Sequence, residues 1–493
     1  MAKYVAFMFK IHQPVRLKPF TAFNLSNYVK YGLEDMYDHP LNRDVFIRAS
    51  RKCYIPATRI VVEEAGNTGF KATFSVSGVW VEAALRYCRD AIDLLRKAVD
   101  AGCCFTAQTY YHNVSPMFQS LDEMAEQIDM NRRMVEDVFN VKPEVADTTE
   151  FIYNNDIGLK LWSMGFKAAV TEGAERILKW RSPNYIYQSC SSNLKIFTRN
   201  YRLSDDVAFR FSNRLWDQYP LTADKYAYWI AKSPGDLVFI AVDYETFGEH
   251  QWPETGIMDF LRYLPRKLRE NGVEALTLTE AIDLLRPVDT IDVPPQHTLS
   301  WADAEKDLTA WIGSPLQAKA LQIYEYLEPY VKAMGNPYLK HWRYMGVSDN
   351  FYYISSKHGS SGEVHMYFSP FKRDVDAYTS FTSWLTLFYR EVIEKYVEGI
   401  AEYAWRVNLP KNLSYKLNNT EARSLNDLYQ IIKSHSGKAS QHLIDGNIQK
   451  WIREVFLWSD LASSIDDEVR RNTDKAAEAA LKTLEKFKAS FVA

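Results

Sequence analysis

The chain has 493 residues, with 59 basic and 62 acidic side chains, a net charge of -3 and no long single-sign block, which argues against nucleic acid or an anionic membrane as its main partner. That length exceeds the usual span of one hydrophobic core, so a large domain with a second domain or a helical extension is expected, and no run of about 18 apolar residues offers a membrane span. Cys53, Cys88, Cys103, Cys104 and Cys190 are an odd number without Cys-x-x-Cys or Cys/His ligand spacing, and they read as reduced, mostly structural core residues of a cytoplasmic protein.

MAKYVAFMFKIHQP opens the chain with a short apolar run and no small-residue cleavage site, so Tyr4 to Ile11 reads as a first strand rather than a secretion signal. It ends at His12, Gln13 and Pro14. Further strands are expected at Phe70 to Val76, Cys103 to Ala107, Glu144 to Thr148, Lys167 to Thr171, Leu194 to Thr198 and Leu237 to Val242, with an eighth at Ala275 to Leu278. Between them lie segments of helical period: Trp80 to Ala101, Leu121 to Phe139, and Asp156 to Met164 closed by Gly165. Strand alternating with helix over about 285 residues implies parallel βα units, and seven or eight of them favour a closed or nearly closed barrel.

The stretch DLVFIAVDYETFGEHQW, residues 236 to 252, has the composition of a buried strand running into a cluster of ionisable groups. In parallel α/β proteins the carboxyl ends of strands carry the chemistry. Here those ends hold His12, Glu150, Glu172 and Asp243. Beyond residue 297 the pattern is helical: residues 300 to 334, with Pro315 in a first helical turn, then Thr382 to Ala404 and Leu443 to Phe491, separated by a polar loop containing KNLSYKLNNT and SHSGK. The charge-alternating stretch near the C-terminus reads as a solvated helix face. The expected division is a barrel over residues 1–296 and a helical region over 297–493 that packs on it and contributes to the cleft.

Several of these segments resemble the motifs of glycoside hydrolase family 57, most closely its α-amylase group. HQP (12 to 14), FSVSGVWVEAAL (74 to 85), TTEFIYNNDIG (148 to 158), DYETFGEHQW (243 to 252) and TLTEAI (277 to 282) are similar to its five motifs, and SWADAEKDLTAWIG (300 to 313) and SDNFYYISSK (348 to 357) look like the α-amylase group. The resemblance covers roughly residues 4 to 370. It implies an α/β fold, an incomplete TIM-like (β/α)7 barrel followed by an α-helical C-terminal region. It also implies retaining chemistry on α-glucans or maltooligosaccharides, with Glu150 as nucleophile, Asp243 as general acid/base and no metal or cofactor. One departure from the pattern is Thr148, where Asn is expected two residues before the nucleophile.

Two carboxyls suit this chemistry because one must protonate the leaving glycosidic oxygen while the other, ionised, attacks the oxocarbenium-like carbon. Candidate substrate-binding residues are His12, Gln13, Glu82, Trp80, Tyr244, Glu245, His250, Trp252, Trp301 and Asp303, and Tyr110 and Tyr153 join the aromatics able to stack on sugar rings. The same carboxylate pair would serve a 4-α-glucanotransferase or a branching enzyme, which resolve the intermediate with a sugar hydroxyl. A glycan-binding relative without turnover is disfavoured by the presence of both carboxylates. A metal-dependent deacetylase is disfavoured because His12, His112 and His250 form no H-x-x-x-H pair. Nothing in the sequence sets an oligomeric state.

Overall fold

The computed structural model describes residues 1–357 and 369–490, so Phe491, the last residue of the expected terminal helix, lies outside the described residues. Ten strands form the α/β part: β1 (Tyr4–Ile11), β2 (Thr73–Val76), β3 (Cys104–Phe105), β4 (Val145–Ala146), β5 (Ala168–Glu172), β6 (Ile186–Ser189), β7 (Lys195–Arg199), β8 (Leu237–Asp243), β9 (Glu274–Leu276) and β10 (Thr290–Ile291). They make two sheets, β3-β2-β1-β8 with β9 on β1, and β10-β6-β7-β5-β4. Two seams join them. Past β3, Ala107 bridges Ala146 in parallel and accepts from Asp147 N at 2.8 Å, and past β7, Asn200 N donates to Phe239 O at 2.8 Å. The circuit β1-β2-β3-β4-β5-β7-β8 is therefore seven parallel strands, an incomplete (β/α)7 barrel, with β6 lying antiparallel to β7.

The alternation of side chains in β1 and β8 explains both the barrel and its cleft. Val5, Phe7, Phe9 and Ile11 of β1, with Val238, Ile240 and Val242 of β8, enter the core that includes the helical segments 55–68 and 91–98. Ala6 and Met8, with Phe239 and Ala241, belong to a second core with Val170 and Phe197 of the opposite strands. Burial on both faces makes these strands read as continuous apolar runs. The next positions of the inner set are Lys10 and Asp243, so the barrel interior turns from apolar to charged at its carboxyl end.

The expected strands are present, those at 70–76, 103–107 and 144–148 shortened to β2, β3 and β4. The expected helix from Trp80 to Ala101 is two helices, Gly78–Tyr87 and Arg89–Asp100, broken at Cys88, whose φ of -158° and ψ of 75° are far from helical. A nearly continuous helix over residues 39–68, with a π-helical turn at Ser50–Tyr54, had no expectation attached to it. Cys53 and Cys103 are buried, but Cys190 is exposed and is not a core residue.

The chain divides into two compact units, Met1–Leu321 with Arg343–Phe381, and Gln322–Trp342 with Thr382–Ala493. This does not coincide with the boundary expected at 296, because the segments 297–321 and 343–381 belong with the barrel. The second unit is helical, with a core that includes Trp405, Leu428, Ile432, Leu443, Ile452, Leu461 and Leu484. KNLSYKLNNT, expected as a loop, holds β11 (Tyr415–Leu417) and the turn of a hairpin, with Asn418 at φ 55°, that leads into β12 (Thr420–Ala422), and SHSGK, expected in the same loop, is helical on either side of His435. The charged terminal stretch is helical at Ala476–Ser490, burying Ala476, Ala480 and Leu484 and pairing Glu478 with Lys482 at 3.2 Å on its exposed side. Among the described residues no helix is long and apolar enough to cross a membrane.

Candidate active site

Glu150 follows β4 in a tight turn where it and Phe151 both take left-handed backbone angles, φ 56° and 55°. Such angles are costly for residues with a Cβ and persist only where the surroundings hold them. The holding bonds here are Thr148 Oγ1 to Ile152 O, Phe151 N to Thr148 O, and Trp301 N to Glu150 O at 3.1 Å. The turn presents a half-buried carboxylate to three side-chain groups. Oε1 lies 3.1 Å from His112 Nε2 and accepts from Ser348 Oγ at 2.9 Å, while Oε2 accepts from Trp301 Nε1 at 2.5 Å. Burial raises the Glu150 pKa, but the His112 and Trp301 bonds outweigh it and hold the carboxyl below its usual range.

His112 stacks on His12, with ring centroids 4.2 Å apart. Its Nδ1 faces Gln108 Oε1 at 3.0 Å. Both ring nitrogens thus face acceptors, so the arrangement is satisfied when the ring carries both hydrogens or when Glu150 carries one itself. Burial, helped by His12, pushes the His112 pKa down to about 4 and the Glu150 carboxylate works against it, so the two groups titrate as a pair. His12 is held by Ser77 Oγ at 2.8 Å from Nδ1 and faces Asp349 Oδ2 at 3.7 Å from Nε2. Ser348 and Asp349 come from a helix more than 190 residues beyond Glu150 in the chain.

Asp243 ends β8, where burial, then the charge of Glu150, raise its pKa to about 7, with Lys10 and Arg199 opposing. Two carboxyls in mutual electrostatic range thus have opposite tendencies, one held below the usual carboxylate range and one raised so that it keeps its proton up to about neutrality. That is the division of labour required of a nucleophile and an acid. On the turn after Asp243, Glu245 is buried, accepts from Tyr54 OH and from Gln13 Nε2 at 3.5 Å, and is raised to about 8 by burial and by Asp243. Gly248 (φ 121°) lets this turn pass the Lys52 carbonyl, which a Cβ would meet at 2.1 Å. Among the described residues no group of three or more His, Cys, Asp or Glu is arranged to hold a metal ion.

The family model described as glycosyl hydrolase family 57 matches residues 6–294. A protein of Methanocaldococcus jannaschii that carries the description "Putative alpha-amylase" is 42% identical over 393 residues, 77% of this chain and 83% of that protein. The chain belongs to glycosyl hydrolase family 57. Solved structures with this fold include a family 57 branching enzyme of Thermococcus kodakaraensis (TM-score 0.59, 14% identity, 87% of this chain and 94% of that one). Another is an α-amylase of Thermotoga maritima (TM-score 0.52, 14% identity, 82% and 97%). The chain is accordingly a glycoside hydrolase by family.

The other expected site residues of this family 57 chain separate into three groups. His12, Gln13, Glu245 and Trp301 stand around the two carboxylates, and Trp301 also packs on Phe151 at 4.6 Å. Glu82 accepts from the phenols of Tyr110 (2.8 Å) and Tyr344, and Asp303 (φ 56°) pairs with Lys357 at 2.8 Å. His250 is half-buried, its pKa lowered to about 4 by burial. Trp252 is 60% exposed and its ring lies under Lys52 Nζ at 5.7 Å rather than against either carboxylate.

Trp80 and Tyr244 are corrections, as is Tyr153. Trp80 is fully buried against Phe46 and Tyr54. Tyr244 stacks on Phe9 with its OH 3.0 Å from Thr58 Oγ1, and Tyr153 is buried in the core under the helix at 155–163. None of the three can offer a face to a sugar, because their rings are spent on packing. Trp80→Ala is expected to destabilise the protein by about 3–5 kcal/mol in denaturant titration, as for a buried aromatic cavity. A change under about 1 kcal/mol would contradict the core placement. Glu172 likewise is a buried structural partner of Arg199, paired at 3.0 Å. Sequence reasoning gave no role on Glu150 to His112, Ser348 or Asp349; His112 enters it only as one of three histidines without metal-ligand spacing, and the other two only within a motif.

Proposed function

We propose that this family 57 enzyme is a retaining glycoside hydrolase of α-amylase type that cleaves α-glucans. The opposite settings of the two carboxyls carry the reading: Glu150 is kept ionised by His112, Trp301 and its surroundings, and Asp243 is pushed up to about 7 by burial and by Glu150. Asp243 gives its proton to the glycosidic oxygen as Glu150 bonds to the anomeric carbon. Water, deprotonated by Asp243, then releases the sugar from the glycosyl-enzyme. In this reading His12, Gln13 and Trp301 meet sugar hydroxyls and rings, the buried Glu245 supports Gln13 from behind, and Trp301 and Asp349 are drawn from beyond residue 296 to complete the cleft. The M. jannaschii relative's description supports an α-glucan substrate. The free cysteines suit a reducing, cytoplasmic setting.

Incubation with maltooligosaccharides tests this reading. Shorter products with one new reducing end per bond broken are expected. Longer or branched products without a rise in reducing ends would replace hydrolysis by transfer to a sugar hydroxyl.

A further inference from the structure

The layer of the barrel interior directly beneath the cleft is built from buried polar side chains resting on the apolar inner core. Lys10 is paired in register with Ser75 of β2 and with Asp243 of β8, and like them it belongs to the inner set of its strand. Its ammonium is buried, ion-paired with Asp147, 3.3 Å from Thr148 O and 5.1 Å above the Phe151 ring. Asp147 accepts in addition from Ser75 Oγ at 3.0 Å and Thr106 Oγ1 at 2.7 Å, so the pair has the hydrogen bonds that a buried charge needs. Lys10 Nζ also lies 3.5 Å from Gln108 Oε1, the atom that faces His112 Nδ1. Turning the amide NH2 toward Lys10 would set donor against donor. The oxygen therefore faces the ammonium, at the cost of leaving the buried Gln108 Nε2 without a hydrogen-bond partner.

We propose that Lys10 is a positioning residue for both carboxylates: through Gln108 and His112 it holds Glu150, through Thr148 it holds the left-handed turn that carries Glu150, and it stands beside Asp243 in the strand register. The assignment rests on the roles given above to Glu150 and Asp243. The main charges that act on Asp243 are Glu150 and Asp349, which favour its protonated form, and Lys10 and Arg199, which oppose them, and Glu245 on the following turn is coupled to it. Those acting on His112 are His12, Glu150 and Lys10. Removing the ammonium therefore raises the titration of Asp243 and loosens Glu150 together. A residue that only fills the barrel would do neither.

Lys10→Met alone leaves Asp147 unpaired in the interior, so the test uses Lys10→Met/Asp147→Asn, which keeps an acceptor for Ser75 and Thr106. Carboxyl carbon-13 NMR of labelled aspartates, with the Asp243 signal assigned by its loss in Asp243→Asn, reads the midpoint without any substrate. The midpoint is expected to rise by a fraction of a unit, because the ammonium in register with Asp243 is lost together with the Asp147 carboxylate, which is not among the main charges on Asp243. Turnover per folded molecule is expected to fall by about 10- to 100-fold with KM nearly unchanged, as for a misplaced reacting group. Gln108→Met should lower turnover while leaving the Asp243 midpoint in place. A folded double variant that titrates Asp243 at the wild-type midpoint overturns the proposal, and so does a Gln108→Met enzyme with wild-type turnover. A wild-type enzyme that shows the titration difference against the double variant yet cleaves no α-glucan would count against the substrate reading alone and support the placement of Lys10 beside Asp243.

Discussion

Glu150→Gln is expected to lower turnover by about four orders of magnitude or more while leaving fold and substrate binding intact. The amide has nearly the same shape: with its oxygen accepting from Trp301 Nε1, its NH2 takes the place of Oε1 and can donate to Ser348 Oγ or His112 Nε2, so the left-handed turn keeps its partners. It cannot form the glycosyl-enzyme bond, and Asp349, the other carboxyl held low in this cluster, is engaged with His12 rather than with the turn that carries Glu150. Turnover within tenfold of wild type, measured alongside calorimetric or equilibrium binding of a maltooligosaccharide, would remove Glu150 from the nucleophile's role.

Asp243→Asn is expected to cost about 10²- to 10⁴-fold on a glucan, whose leaving oxygen needs a proton, and much less in the first step with an activated aryl glycoside. The pH dependence follows from the same assignment. Asp243 must carry its proton, so wild-type kcat/KM is retained below about pH 7 and is lost as pH rises through the raised pKa. The Glu150 and His112 pair must leave an ionised nucleophile, so activity is also lost as pH falls through a pKa held below the ordinary carboxylate range. The variant, measured on the activated substrate, should lack the upper limb. An unchanged basic limb in Asp243→Asn would assign that ionisation to another group, with Glu245, raised to about 8, the first to examine.

The barrel was legible because its strands are buried on both faces and therefore spell short apolar runs between amphipathic helices; β1 is an instance with the expected and observed ends identical. Short strands such as β3 and β4 were overextended, since a run of β-forming residues does not say where pairing stops. The helix over 39–68 escaped because its apolar positions are interrupted by polar ones and by a π turn. At the site, Glu150 and Asp243 were readable as strand-end carboxyls and through the motifs. Their setting was not, since it depends on a left-handed turn and on a helix from residues 348–352. Trp80 and Tyr244 were misread because an aromatic beside a catalytic motif gives no sign of which way its ring points. Trp80 follows Val79 and precedes Val81 and Ala84, all buried on a helix whose start is fixed by Gly78, where a Cβ would strike the Tyr110 ring at 2.3 Å. Lys10 was hidden for the opposite reason, as a single charge inside an apolar strand.

The central claim, that Glu150 attacks and Asp243 protonates on opposite sides of one anomeric carbon, is tested most directly by proton NMR of the first product before mutarotation. Two successive inversions restore the starting configuration, so the α-anomer is expected to appear first. A β-anomer appearing first would mean a single displacement by water between carboxyls about 6.5–9.5 Å apart, and the assignment of Glu150 as nucleophile would fall with it.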